Sequence, residues 1–92
     1  MSDSESEVAV IYALVERFET QRLPRLLEIK ERVDQGGVLS ERDIQFMSEI
    51  AHDAQRGKRL VDRHPDWQRY CAEVIHLCEE VAEKALENEK NP

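Results

Sequence analysis

The chain has 92 residues, of which 36% are charged and 40% apolar, with a formal net charge of −7. That length makes one domain with a marginal core. The negative balance argues against free-standing binding to nucleic acid or to an anionic membrane, because both rest on basic surface.

Only three Gly and three Pro occur, which suits long helices. The acidic opening Met1-Ser2-Asp3-Ser4-Glu5-Ser6-Glu7 lacks the basic start of an export signal. No run approaches the ~20 apolar residues that span a bilayer. The expected location is the cytoplasm.

Helix 1 is predicted from about residue 4 to residue 35. Ser4 to Glu7 has the pattern of a capping box. An apolar stripe follows at Val8, Ile11, Tyr12, Val15, Phe18, Leu26, Ile29 and Val33. Its phase is the same before and after Pro24, so the spacing predicts one helix that is kinked there. A true break is the alternative. Residues 8–15 read Val-Ala-Val-Ile-Tyr-Ala-Leu-Val. A helix that is apolar around its whole circumference must be buried on more than one side.

Gln35-Gly36-Gly37 ends this helix, with Gly supplying the left-handed C-cap. Ser40 with Asp43 forms a capping-box pattern, and Leu39 with Ile44 is spaced as a hydrophobic staple. Helix 2, about 41–63, carries Ile44, Met47, Ile50, Ala51, Ala54 and Val61 on one face. It ends at His64, because the residue before Pro65 resists the helical region. Helix 3, about 65–88, starts on Pro65 and carries Trp67, Tyr70, Cys71, Val74, Leu77, Cys78, Val81, Ala82 and Ala85. Fraying is expected from Asn88 to Pro92. Cys71 and Cys78 are two helical turns apart, too far for a disulfide within one helix, and read as small buried hydrophobes.

The short turns predict an all-α, up-down-up three-helix bundle occupying the single domain 1–92. Pairing Val33 with Ile44 leaves residues 4–11 overhanging the bundle by about two turns. Covering that overhang with a second copy removes the exposure, and two-fold dimers are the common solution. Val8, Val10, Ile11, Tyr12, Leu14 and Val15 are therefore the candidate self-association surface, in a homodimer or a dimer of dimers. Folding of the overhang onto Trp67 and Tyr70 is the alternative. Glu19, Arg22 and Lys58 fall on or beside the stripes, as a structural charge cluster with a Glu19–Lys58 pair or as a wet pocket.

Two constellations bear on chemistry. Glu49-Ile50-Ala51-His52 and Glu73-Val74-Ile75-His76 are both Glu-x-x-His, the spacing ferritin-like di-metal bundles use. The apolar stripes place Glu49, His52, Glu73 and His76 on outward faces, which leaves at most a site between subunits. His52 with Gly57 resembles, over six residues, the motif of histidine phosphotransfer domains. That family places Lys and Gly three and four residues after the His. Gln55 and Arg56 stand at those positions here, and Gly57 comes one step late. No nucleophile turn or phosphate loop is present. The expected function is a small acidic adaptor or scaffold with no catalytic residue and no cofactor, acting as a homo-oligomer and binding itself or another protein. The metal-carboxylate and phosphotransfer readings are the alternatives.

Overall fold

A computed structural model describes the backbone of residues 3–91 and the side chains of residues 6–91. Five helical segments follow in order: α1 (Asp3–Arg17), a π-helical turn (Phe18–Arg22), α2 (Leu23–Asp34), α3 (Glu41–Leu60) and α4 (Pro65–Lys90). The first three run on without a break, so three rods form the expected all-α bundle. The side chain of Ser4, the predicted first cap, lies outside the described residues. No helix among the described residues is long and apolar enough to cross a membrane.

Pro24 has no N–H and its ring collides with the carbonyl one α-turn back. The chain answers by widening that turn. The Leu23 N–H reaches the Phe18 carbonyl instead of the Glu19 carbonyl, and π bulges of this kind absorb such a conflict without ending the helix. The wider turn spends an extra residue, so the apolar faces before and after it are offset. α2 buries Leu26, Ile29 and Val33 in a core with Met47 and Ile50 of α3 and Cys78, Val81 and Ala85 of α4. α1 makes few close backbone approaches to α3 or α4. Among its described side chains the one fully sealed is Ile11, at 2% exposure.

The helix ends obey local rules. Gly36, at φ 102°, is the left-handed residue of a Schellman motif. Its N–H binds the Val33 carbonyl and that of Gly37 binds the Arg32 carbonyl. Ser40 Oγ accepts from the Asp43 N–H at 3.1 Å, and Asp43 Oδ2 accepts from the Ser40 N–H at 3.0 Å. The expected capping box is present.

Four sequence expectations need correction. Ile44 is 52% exposed; the inward residue of that turn is Asp43, which receives the Arg32 guanidinium. α3 stops at Leu60 instead of residue 63, and the buried Val61 caps it. α4 does not fray at Asn88, because the Asn88 amide donates to the carbonyls of Val33 at 2.8 Å and Gly37 at 2.7 Å. The overhang is shorter than expected. Glu7 meets His64 at 3.1 Å and Arg63 at 3.6 Å, in the turn before α4, so only the first turn of α1 extends past that contact.

The molecule is long and thin, with extents of 56 × 20 × 18 Å and a radius of gyration of 15.1 Å. A compact chain of this length has a radius of gyration of about 12 Å. Its accessible surface of 6751 Å² exceeds the roughly 5,500 Å² typical of a compact monomer of this mass.

Candidate functional site

The apolar run of α1 divides between two flanks. Residues two apart on a helix point about 200° apart. Ile11 faces inward, Val10 and Leu14 lie on one flank, and Tyr12 lies on the other. Val10 is 48% exposed, Leu14 49% and Tyr12 60%, while Val8 and Val15 are half-buried. Ile11 is thus core, and the free apolar surface of α1 is narrower than the sequence suggested.

On the first flank, the gap between α1 and α3 forms a groove of about 470 Å³ over α4. Leu14, Phe18, Ile50, Leu60, Val61 and Val74 supply apolar lining, and Arg17, Arg22, Asp53 and Arg56 the polar part. Gly57 lies in the wall beside the Cys71 sulfur, 3.7 Å from where a Cβ would sit. Burial pushes the Cys71 thiol above its ordinary range, against the opposing charge of Lys58; this is the setting of an inert thiol.

The charge cluster is arranged differently from expectation. Arg22 Nη1 binds Asp53 Oδ2 at 2.5 Å, so Arg22 does reach a carboxylate. Glu19 does not pair with Lys58. Its Oε1 accepts from the Tyr70 hydroxyl at 3.0 Å, while Lys58 is exposed on α3. Desolvation and the Glu19 carboxylate together hold the Tyr70 phenol above its ordinary range.

The second flank holds a smaller cleft of about 320 Å³, lined by Tyr12, Val15, Glu16, Glu19, Thr20, Trp67 and Tyr70. Tyr12 and Trp67 meet edge to face with centroids 5.2 Å apart, and Trp67 and Tyr70 at 6.0 Å. Sequence reading placed Trp67 and Tyr70 on the core stripe and Tyr12 on the self-association surface. The alternative of folding the overhang onto Trp67 and Tyr70 came nearest to this convergence; in the structure it is Tyr12, just past the overhang, that meets Trp67, because the first helix and α4 run parallel side by side.

Glu49 and His52 are exposed on α3, and Glu73 and His76 on α4. His76 pairs with Glu80 one turn away, at 2.9 Å. No group of three or more His, Cys, Asp or Glu side chains that could hold a metal ion occurs among the described residues. Comparisons with protein families, with curated proteins and with solved structures find no match.

Proposed function

We propose that this chain is a non-enzymatic protein–protein interaction module that acts as a homo-oligomer, with α1 of a second copy covering the groove between α1 and α3. The observation that carries the reading is Leu14: it lines an apolar groove and is still half exposed. Val10, one turn before it, extends the same flank.

Area and charge support a second copy as the occupant. The surface in excess of a compact monomer is on the order of 1,200 Å², and a standard interface takes about 800 Å² from each partner. Arg17 and Arg56 rim the groove, and neither has a carboxylate partner among the described residues. In sequence α1 carries Asp3 and Glu5 and no basic residue before Arg17, while Glu7 is already held by His64 and Arg63 of its own chain. An incoming α1 therefore brings acidic charge to a basic rim, which favours one seating over others.

Light scattering coupled to size exclusion tests the reading. The parent should elute as a dimer or dimer of dimers, and Leu14→Glu as a folded monomer. A parent that is monomeric at high micromolar concentration would overturn it.

A further inference from the structure

The cleft on the other flank of α1 has a composition that neither the bundle core nor the groove explains. Three aromatic rings from two helices, Tyr12, Trp67 and Tyr70, converge on it together with the carboxylates of Glu16 and Glu19. No Lys or Arg lines it. Nearer the other end of the bundle, the chain fills an aromatic face itself, with the Arg25 guanidinium 4.3 Å from the Phe46 ring centroid. Among the described residues, no such cation lies over these rings or beside these carboxylates.

The geometry points to a binding site for a methylated ammonium group. Ring faces attract a cation through their quadrupoles, and aromatic cages for quaternary ammonium use this attraction. The rings stand near perpendicular to one another, at 77° for Tyr12–Trp67 and 70° for Trp67–Tyr70, so they form walls that meet in corners. The Tyr70 hydroxyl donates to Glu19 Oε1, which fixes that carboxylate against the ring wall. Thr20 spends its hydroxyl on the Glu16 carbonyl at 2.8 Å, leaving the cleft dominated by π surface and negative charge.

The ligand class follows from what the lining lacks. Calcium takes six to eight oxygen ligands, and magnesium a near-ideal octahedron; two carboxylates supply too few. A primary ammonium is strongly hydrated and needs three acceptors. A methylated ammonium is weakly hydrated, makes few or no hydrogen bonds, and gains from aromatic contact and diffuse negative charge. Tyr12 points away from Val10 and Leu14, so the cleft opens on the other flank of α1 from the proposed self-association groove, although Val15 and Tyr70 line both.

Trp67 is the only tryptophan in the chain and reports directly. The test is titration of the full chain with tetramethylammonium and choline chloride, monitoring Trp67 emission against sodium chloride at matched ionic strength. A saturable change with the organic cations alone is expected, weakened at least tenfold in the double variant Glu16→Gln, Glu19→Gln and in Tyr12→Leu. Circular dichroism of the variants checks that the helices persist. A response equal to that of sodium chloride, or one unchanged in both variants, overturns the proposal. A peptide containing trimethyl-lysine and the same peptide with unmodified lysine separate the sources. Tighter binding of the trimethylated peptide than of choline supports a protein-borne group, and the reverse supports a small molecule. Equal binding of the two peptides overturns the methyl preference.

Discussion

The carboxylate of Glu7 and the imidazole of His64 meet at 3.1 Å across 57 residues of sequence. This contact holds the free end of the first helix against the turn that opens α4. It is a hydrogen bond when Nε2 carries the proton, and an ion pair when the ring is protonated. Arg63 adds a longer contact to the same carboxylate.

Glu7→Gln should loosen that end without touching the core. Partly exposed charged contacts contribute about 0–1.5 kcal/mol. Amide hydrogen exchange along α1 should therefore quicken by up to about tenfold, with the amides of Leu26, Ile29 and Val33 unchanged. Uniform quickening would show that α1 and α2 open as one unit, against the division made by the π turn.

Asp43 gives the fold an acid limit. Its burial disfavours the charge, but hydrogen bonds from Ser40 and the Arg32 guanidinium outweigh this and hold the carboxyl below its ordinary value of 3.8. A carboxyl lowered by folding stabilises the chain fully above its unfolded value. That contribution is lost as pH falls through the folded value. Asp43→Asn should cost about 1–3 kcal/mol at pH 7, and the difference from the parent should shrink below about pH 4. Urea denaturation at pH 7 and pH 3 measures both; a gap that does not change with pH would contradict the assignment.

Two glycines should respond with opposite signs. A Cβ at Gly57 would lie 3.7 Å from Cys71 Sγ, an ordinary contact, so Gly57→Ala should stabilise α3 by about 0.5–1 kcal/mol through helix propensity. A Cβ at Gly37 would come within 2.8 Å of the Arg32 carbonyl oxygen, which is backbone and held in the helix end. Gly37→Ala should destabilise the chain. Thermal melts of the two variants decide this, and a shared sign would refute the packing described at one of them.

Asn88 closes the opposite end. Its amide bridges two carbonyls, that of Val33, which also accepts the Gly36 N–H, and that of Gly37 in the turn beyond the helix. Asn88→Ala should cost about 1–2 kcal/mol and free the last turn of α4, measurable as faster exchange beyond Ala85. Unchanged protection there would mean the last turn is held by other contacts.

The three rods, their order and their turns were legible because each rests on local chemistry: Gly36 for the positive φ, Ser40 and Asp43 for reciprocal caps, Pro65 for a helix start. The π turn was not legible. The stripe from Val8 to Val33 fits a regular helix almost as well as one carrying an extra residue, and only the clash at Pro24 separates them. Contacts across more than fifty residues, Glu7 with His64, Asn88 with Val33, Tyr70 with Glu19, leave no periodic trace. Of the candidate surface, the sequence marked Val8 to Val15 as too apolar for one neighbour. The sorting of Ile11 inward, Leu14 to a groove and Tyr12 to an aromatic cleft depends on how α1 sits after the π turn. Buried Asp43 ran against pattern because its carboxylate is satisfied locally, by Ser40, and at longer range, by Arg32.

Native mass spectrometry of the unmodified chain bears most directly on the central claim, since it reads stoichiometry and any bound mass in one spectrum. The account predicts a dimer or a dimer of dimers that falls to monomer in Leu14→Glu. A monomer at concentrations where a standard interface would be occupied would contradict it, and would leave the groove between α1 and α3 without a second copy to fill it.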